Sequence, residues 1–501
     1  MQSKKGLSTG SLGLVASVAL GVSVIAPAYT LTASIAYAAQ EVGPQLPAIF
    51  LIGFIPMLLV AYGYRELNAD TPDSGTSFTW ATKAFGPYVG FMGGWGLIAA
   101  TVIVLSNLAA IAVDFFYLAL AQVTGVDSLE DLTNNDAVNI LTCTAFMVIA
   151  VYICYRGIEA TRPIQYVLVS FQIVVLVVFI VAAIAGSGGA DATSDLSFSW
   201  SWFNPLEIDS FSALAAGVSV SIFVYWGWDT CLTLNEETEG ADSTPGRAAV
   251  ITVTVVVVLY LLIAVAVLLF AGLGTDGLGL NNEDIADNVF VALASPVLGP
   301  LAVLMSLAVL TSSAASLQST FLSPTRTMLA MGHYEALPAR YAGVHPRFKS
   351  PVYATIVSGA VATIFYAAMR LLSENVLEDT ILTLGLMICF YYGITAFSCV
   401  WYFRRSAFTS ARHLVFRFLA PLIGGIALWA VFVKTLVDST DPDFGSGSAV
   451  GGIGAVFIIG VGILLFGLAV MVYMRITRPA YFAGRTLNAE TAVFEDPSGL
   501  A

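Results

Sequence analysis

The sequence predicts an all-α integral membrane protein with twelve transmembrane helices. Hydrophobic residues make up 58% of the 501 residues, charged residues only 11%, and the mean hydropathy is +0.85. A soluble chain carries about 25% charged residues, so this one could not cover its surface with polar groups. Two further observations support this fold class: stretches of about 20 residues with almost no charged residue, the length that crosses a bilayer, and the placement of the basic residues.

Twelve stretches with no charged residue, or almost none, account for most of the chain, and we number them spans 1 to 12. They cover residues 12–38, 44–64, 87–121, 137–155, 163–186, 210–232, 248–272, 288–322, 350–369, 380–402, 415–437 and 448–474. Gly and Pro lie inside several of them, which membrane helices tolerate because neighbouring helices satisfy the freed backbone groups. The first stretch is longer than the 7–15 apolar residues of a signal peptide, so we expect it to be retained.

The charges predict that both termini are cytoplasmic. Under this topology 18 of the 20 lysines and arginines fall on the inner side, and the exceptions are Arg370 and Lys434. This bias follows the positive-inside rule, and we expect a plasma-membrane location. The opposite loops are acidic, including the one that contains Asp443, and we interpret them as a solvated outer face. The net charge of −13 argues against a nucleic-acid partner, which would need a basic surface.

Neither a cofactor nor an enzyme site is expected. All five cysteines lie in apolar runs without metal-ligand spacing, which predicts buried free thiols. The three histidines lie in predicted cytoplasmic stretches, apart from Asp229, so they form no catalytic cluster. The end of the chain from Tyr481 is polar and predicts a short disordered tail.

Two spans carry signs of interruption in mid-membrane. Pro27 lies in the middle of span 1, where it removes a backbone donor and clashes with the preceding turn. Span 6 contains Gly227 among aromatic residues, followed closely by Asp229. Interrupted spans at matching positions of two halves indicate an inverted-repeat transporter, although plain kinked helices are an alternative.

Three stretches resemble the amino acid–polyamine–organocation family of transporters. The first runs from Pro72-Asp73-Ser74-Gly75 to Phe85-Gly86-Pro87 and Gly93-Gly94-Trp95. The second is Tyr225-Trp226-Gly227-Trp228-Asp229 with Leu234-Asn235-Glu236-Glu237 and Pro245-Gly246-Arg247. The third contains Arg326, Ala330-Met331, Leu337-Pro338, Val344-His345-Pro346 and Ser350-Pro351.

The resemblance implies the leucine-transporter-type fold. Spans 1–5 and 6–10 would form two inverted five-helix repeats, about 10–190 and 205–402, within a core of residues 1–402. Residues 403–478 would hold the peripheral spans 11 and 12, and residues 479–501 a cytoplasmic tail. The substrate would lie between spans 1, 3, 6, 8 and 10.

The same resemblance places the substrate at the two interruptions. Ala26-Pro27-Ala28 occupies the place of the family's Gly-Ser-Gly turn, whose N–H groups bind a carboxylate, but Pro27 has no N–H to donate. Phe223 aligns with the aromatic residue that closes over the substrate. The complete set of substrate-binding candidates is Val24, Ala26, Pro27, Ala28, Tyr29, Asn107, Phe223, Trp226, Gly227 and Asp229.

The coupling ion is left open between H⁺ and Na⁺. Asp229 is a carboxylate inside a span, which predicts a functional group able to exchange a proton. Gln172 aligns with a lysine that replaces Na⁺ in some relatives. Ser312, Ser313 and Ser316 of span 8 offer hydroxyl oxygens to Na⁺, or simply allow close helix packing. No other metal is expected.

The sequence therefore predicts a secondary active transporter that moves an amino acid or related amine by alternating access, coupled to H⁺ or Na⁺. The expected partners are this small-molecule substrate, the coupling ion and the lipid bilayer. A polyamine or amine permease, or an exchanger, is an alternative within the same class. A non-transporting membrane solute sensor is the alternative from another class.

Overall fold

The computed structural model describes residues 5–372, 376–442 and 444–492. These residues are almost entirely helical, and the two-residue strands Ala449–Val450 and Ile453–Gly454 pair with each other. Lys4, Asp443 and residues 493–501, which contribute to the topology and tail predictions, lie outside the described residues.

The helices follow the predicted spans in order. Those of spans 1–5 and their loops are Leu14–Ile25, Pro27–Thr32, Ile35–Val42, Leu46–Asp70, Ser77–Phe85, Pro87–Thr124, Asp136–Tyr155 and Ile158–Gly186. Those of spans 6–10 are Phe211–Val224, Thr230–Thr233, Thr244–Phe270, Val289–Leu298, Val303–Thr320, Leu322–His333, Val352–Leu372 and Val376–Tyr402. Ala411–His413, the π-helical turn Leu414–Leu419, Ala420–Asp438, Ala455–Thr477 and Pro479–Phe482 complete the chain.

Eleven helices in the described ranges are long and apolar enough to cross a membrane. Span 6 is not among them, because its helix ends at Val224 and a single turn, Thr230–Thr233, follows the interruption. The count of twelve spans therefore stays a prediction.

Span 8 departs from its predicted bounds of 288–322. Its long membrane-crossing helix begins at Val303 and continues to His333. Pro300 cannot continue the preceding helix, so the chain turns before Val303. The helix extends past Arg326 because the charge of this residue is paired inside the protein with Glu237.

Helix packing relates each of four spans to the span five places later. Span 1 lies against span 6, span 2 against span 7, span 3 against span 8 and span 4 against span 9. One continuous cluster of buried apolar residues runs through these contacts. The outer surfaces of spans 4, 5 and 12 expose large apolar side chains such as Leu141, Val167 and Phe466, as lipid-facing surfaces do.

The loops form two faces. On the face that we name the terminal face, Lys5 contacts Asp73 and Glu236, and the N–H groups of Ser11 and Leu12 donate to the Glu237 carbonyl. The first residues, the loops after spans 2, 6 and 8 and the C-terminal segment meet there. The other face, which we name the acidic face, is formed by the loops after spans 3, 7, 9 and 11.

The C-terminal segment packs onto the terminal face. Tyr481 and Leu487 are fully buried among apolar residues of the helix Ser77–Phe85 and of spans 3 and 8. The Tyr481 hydroxyl donates to the Pro87 carbonyl at 2.9 Å. The prediction of a disordered tail is therefore wrong for residues 481–492. Their few apolar side chains pack against other parts of the protein, and the polar composition of the segment does not reveal this packing.

Candidate functional site

Span 1 is interrupted at Ala26, one residue before the predicted position. Ala26 has φ +54° and ψ +65°, a left-handed conformation that a Cβ atom makes unfavourable. Pro27 then begins the next helix. N–H groups in the first turn of a helix have no acceptor within that helix, so the missing N–H of Pro27 costs no hydrogen bond there. The Thr30 hydroxyl donates to the carbonyls of Ile25 and Ala26 at 2.7 and 2.6 Å, so the freed acceptors are satisfied.

Span 6 is interrupted over residues 225–229, directly against the break in span 1. Gly227 has φ +115°, which side chains disfavour. A Cβ at Gly227 would lie 2.5 Å from Cγ1 of Val24, so only glycine permits this contact between the two breaks. The Tyr260 hydroxyl of span 7 donates to the Val224 carbonyl at 2.8 Å and satisfies the end of the first half-helix.

A small cavity of about 10 Å³ lies where the breaks meet. Its lining comes from spans 1, 3, 6 and 8: Val24, Ile25, Tyr29, Thr30, Val104, Leu108, Phe223, Trp226 and Ser316. This volume is about that of one water, so the surrounding groups must move apart before an amino acid fits. We name this space the central cavity.

Eight of the nine predicted substrate-binding residues of spans 1 and 6 are brought together here, and the ninth is Asp229. Val24, Tyr29, Phe223 and Trp226 line the central cavity, and Gly227 contacts Val24. The remaining three, at positions 26–28, are buried within the break itself.

Protein groups are hydrogen-bonded to backbone atoms of several predicted substrate-binding residues. The Val24 carbonyl accepts from the Ser316 hydroxyl at 2.8 Å, and the Tyr29 N–H donates to the Ser312 hydroxyl at 3.3 Å. The Phe223 carbonyl accepts from a main-chain N–H of its own chain segment at 3.0 Å. Two of the predicted ion ligands thus bind the predicted substrate positions.

Asp229 lies beyond the central cavity and is enclosed by span 10. Its side chain accepts from the hydroxyls of Tyr392 at 2.9 Å and Tyr391 at 3.1 Å, and Asp229 is only 1% exposed. No basic side chain of the described residues forms an ion pair with it. The Trp226 indole N–H donates to Tyr391 at 2.6 Å, so hydrogen bonds connect the cavity wall with the carboxylate.

Sequence reasoning missed the two tyrosines of span 10. Polar aromatic residues in a membrane helix are often interfacial anchors, and the adjacent pair Tyr391-Tyr392 has no charged neighbour in the sequence. Both tyrosines lie in the middle of span 10, 162 and 163 residues after Asp229. Their mid-span position is the signal that could have been noticed.

The other ion candidates lie apart from the central cavity. The Ser313 hydroxyl donates to the Val309 carbonyl of its own helix at 2.5 Å. Gln172 is fully buried, and neither polar atom of its side chain has a hydrogen-bond partner among the described residues.

Gln165, one span-5 position that sequence reasoning did not consider, joins spans 1, 5 and 8. It accepts a hydrogen bond from Ser23 and donates to Gln318 and, at 3.0 Å, to the Ala315 carbonyl. Gln318 in turn donates to Thr161 at 2.9 Å. The interface between these spans is thus filled by neutral amide and hydroxyl groups.

Asn107 lies in a second and much larger cavity, of about 1290 Å³, which opens on the acidic face. We name it the outer cavity. The Thr380 hydroxyl donates to Oδ1 of Asn107 at 2.9 Å. Spans 1, 3, 6, 9 and 10 supply most of the wall, and span 11 contributes Lys434 and its neighbours.

Charged side chains close the terminal face on the opposite side of the breaks. Lys5 contacts Asp73 at 2.6 Å and Glu236 at 2.5 Å, and Tyr334 donates to Asp73 at 2.7 Å. Burial would raise the pKa of Asp73, but Lys5, Thr79 and Tyr334 hold it below its ordinary value. Burial would likewise lower the pKa of Lys5, yet the two carboxylates raise it.

A second buried ion pair lies beside the first. The guanidinium of Arg326 donates to both oxygens of Glu237, at 2.8 and 3.1 Å, and neither side chain is more than 1% exposed. Such a two-point contact is the strongest geometry for an arginine–carboxylate pair. It joins span 8 to the loop after span 6.

The described residues show no cluster of three or more His, Cys, Asp or Glu side chains that could hold a metal ion. The five cysteines are buried free thiols.

The fold is shared with a protein of solved structure. MhsT in complex with L-phenylalanine superposes with a TM-score of 0.58 over 83% of this chain and 98% of that one, at 17% sequence identity.

Curated relatives match parts of the chain. The branched-chain amino acid permease BcaP of Lactococcus lactis is 26% identical over 171 residues, 33% of this chain and 37% of the relative. The arginine/ornithine antiporter of Latilactobacillus sakei is 26% identical over 178 residues, 34% of this chain and 35% of the relative. The chain thus spans about a third of the length of these relatives, which are transporters rather than enzymes.

The model of the amino acid permease family matches residues 12–471, nearly the whole chain. This match confirms the resemblance drawn from the three stretches of sequence. The protein belongs to the amino acid permease family.

Proposed function

We propose that the protein is a secondary active transporter that moves an amino acid or related amine across the plasma membrane by alternating access, with H⁺ as the coupling ion. The observation that carries this proposal is the hydrogen-bonded chain from Trp226 through Tyr391 to Asp229. It connects the wall of the central cavity to a buried carboxylate beside two interrupted spans.

The proposed architecture has twelve spans, with spans 1–5 and 6–10 as inverted repeats. The contacts between spans 1 and 6, 2 and 7, 3 and 8, and 4 and 9 support it, because a two-fold axis between the repeats brings equivalent helices together. Spans 11 and 12 lie outside the repeats. The terminal face is cytoplasmic, as the basic residues of its loops favour.

The described conformation corresponds to a state open to the acidic face. The outer cavity of about 1290 Å³ leads toward the breaks from that face, whereas two buried ion pairs close the terminal face. Substrate enters from the outer cavity and widens the central cavity. Its amine and carboxylate then replace Ser316 on the Val24 carbonyl and Ser312 on the Tyr29 N–H.

Asp229 acts as the proton carrier in this proposal. An ionised carboxylate inside a membrane is costly without a basic partner, and its side-chain donors here are two neutral hydroxyls. When substrate displaces Trp226, Tyr391 loses one hydrogen-bond donor and its bond to Asp229 changes. Substrate binding and proton binding thereby become coupled.

Na⁺ is the alternative coupling ion. The hydroxyls of Ser312, Ser313 and Ser316 are already bonded to main-chain groups, and Gln165 and Gln318 fill the adjacent interface. This favours H⁺, since Na⁺ needs several oxygen ligands around one point and these hydroxyls bond to separate main-chain groups. The buried, unpartnered Gln172 is the one Na⁺-site candidate with free polar atoms.

The relatives suggest the substrate class. One is a branched-chain amino acid permease and another an arginine/ornithine antiporter, so both neutral and basic amino acids are candidates. A polyamine permease or an exchanger would use the same cavities. A solute sensor would bind ligand without moving it.

Uptake by proteoliposomes tests the proposal. Purified protein is reconstituted, and uptake of labelled L-leucine and L-arginine is measured with an imposed pH gradient, with Na⁺ or with choline. We expect uptake of at least one of them to require the pH gradient and to be equal in Na⁺ and choline. Asp229→Asn should reduce proton-driven uptake by about 100-fold, as loss of an essential proton-transfer group does.

The matched control is Asp191→Asn, an exposed carboxylate in the loop after span 5, which should leave uptake unchanged. Uptake that survives Asp229→Asn with the same pH dependence would exclude Asp229 as the carrier. Uptake that follows Na⁺ instead would favour the Na⁺ alternative. Ligand binding without uptake would indicate a sensor.

A further inference from the structure

The outer cavity contains more acidic than basic free charge. Its two basic residues are engaged: Arg370 donates to Asp136 at 3.0 Å, and Lys434 pairs with Asp438. Asp114 also lines the cavity, and no hydrogen bond or ion pair joins its carboxylate to another described residue. Asp114 is half-buried, so water does not fully screen its charge.

Asn107 provides an unused donor in the same cavity. Its Oδ1 accepts from Thr380, but its Nδ2 has no partner among the described residues, although Asn107 is only 3% exposed. A buried amide donor without an acceptor is destabilising in the free protein. It becomes favourable when a ligand supplies the acceptor.

The two groups lie on one side of the same helix. Asn107 and Asp114 are seven residues apart in span 3, which is two helical turns and a rise of about 10 Å. Residues at this spacing face the same way, and both line the outer cavity. The pair presents a hydrogen-bond donor near the floor and an anion nearer the mouth.

We propose that Asn107 and Asp114 form an outer binding subsite for basic amino acids, occupied before the substrate reaches the central cavity. The Asn107 amide donates to the ligand carboxylate, and the Asp114 carboxylate pairs with the cationic end of the ligand side chain. A neutral amino acid reaches only one of the two groups, because its ammonium and carboxylate share one carbon atom. The subsite rests on the proposed function and extends it by naming a substrate class.

Equilibrium binding to the purified full-length chain tests the subsite, with L-lysine, L-leucine and cadaverine as probes. We expect Asp114→Asn to weaken L-lysine and cadaverine by about tenfold or more, as loss of a charge-assisted bond does, and to leave L-leucine within about twofold. Asn107→Leu should weaken L-lysine but not cadaverine, because cadaverine has no carboxylate. Asp114→Glu should restore part of the L-lysine affinity.

Glu130→Gln is the matched control, since Glu130 is an exposed carboxylate at the rim of the same cavity; L-lysine affinity should not change. Equal L-lysine affinity in wild type and Asp114→Asn, at unchanged thermal stability, would overturn the subsite. So would an equal loss for L-leucine and L-lysine. If L-leucine is taken up by proteoliposomes while Asp114→Asn has no effect, the subsite alone fails; if L-lysine binds through Asp114 but nothing is transported, the proposed function alone fails.

Discussion

The two ends of the helix bundle differ in how far their polar side chains are paired. At the terminal face, Lys5 is shared between two carboxylates and Arg326 holds Glu237 at two points, with all of these side chains buried. At the acidic face, Nδ2 of Asn107 and the carboxylate of Asp114 have no hydrogen-bond or ion-pair partner among the described residues, and the ion pair Arg370–Asp136 is partly exposed.

This difference shows how a single chain can favour one conformation and still bind a ligand. Buried ion pairs hold a closed geometry strongly, because separating them leaves uncompensated charge in a poorly solvated place. In the proposed function, the polar groups around the outer cavity bind the substrate. The terminal face therefore contributes closure, and the acidic face contributes access.

The largest expected effect is on the buried pair of the terminal face. Arg326→Ala leaves Glu237 buried without a partner and should lower the free energy of unfolding by about 3–5 kcal/mol. Arg370→Ala removes the pair with Asp136 on the acidic face, where the side chains are 31% and 54% exposed, and should cost only about 0–1 kcal/mol. Thermal and denaturant unfolding in detergent measures both, and equal losses would erase the contrast between the faces.

A smaller effect is expected on opening of the terminal face. Lys5→Ala leaves Asp73 and Glu236 to repel each other, which should shift the equilibrium toward the open form by about tenfold. Cys231 reports this opening, since it is buried next to Ser17 in the terminal half of the bundle.

The measurement is the rate of maleimide labelling of Cys231, with the other four cysteines replaced by serine. Arg340→Ala, an exposed change on the same face, is the control and should leave the rate unchanged. A Lys5→Ala rate equal to that of the control would show that these ion pairs do not hold the terminal face closed.

The smallest expected effect is that of pH on this closure. The pKa of Asp73 lies below its ordinary value, so its contribution is complete above about pH 4 and is lost only as pH falls through the lower folded-state pKa. The pKa of Lys5 lies above its ordinary value, so its contribution is complete below about pH 10 and is lost as pH rises through the higher folded-state pKa. The fraction of parent molecules with an open terminal face, measured as the Cys231 labelling rate divided by that of free cysteine at the same pH, should therefore stay constant between about pH 5 and 9. A fraction that rises within this window would contradict closure by these charges.

Local sequence signals located the two breaks but not their partners. Proline restricts the backbone and glycine leaves it free, so the effect of Pro27 and Gly227 on their helices follows from residue type. The left-handed residue is nevertheless Ala26, because Pro27 is accommodated best at the start of the second helix. The contact of Gly227 with Val24 depends on how two distant spans pack, which no local pattern encodes.

Side-chain partners were harder to predict than positions. Asp229 stood out as a lone carboxylate, but the hydroxyls that hold it come from span 10, more than 160 residues later. In span 5, the family resemblance favoured Gln172 as an ion-site candidate, whereas Gln165 makes the hydrogen bonds to spans 1 and 8. Gln165 and Gln172 are seven residues apart, which places them two turns apart on the same helix face. Residue type and periodicity therefore could not distinguish the two glutamines.

The sequence by itself determined that this protein lies in a membrane as a bundle of helices and where two of those helices break. Hydrophobicity, chain length and the conformational limits of proline and glycine act locally, and each can be evaluated one residue at a time. Only the tertiary structure decided which face is closed, which polar groups remain without partners and which side chains surround Asp229. Those properties depend on helices that meet across the bundle, and their energies exist only once the partners are in contact.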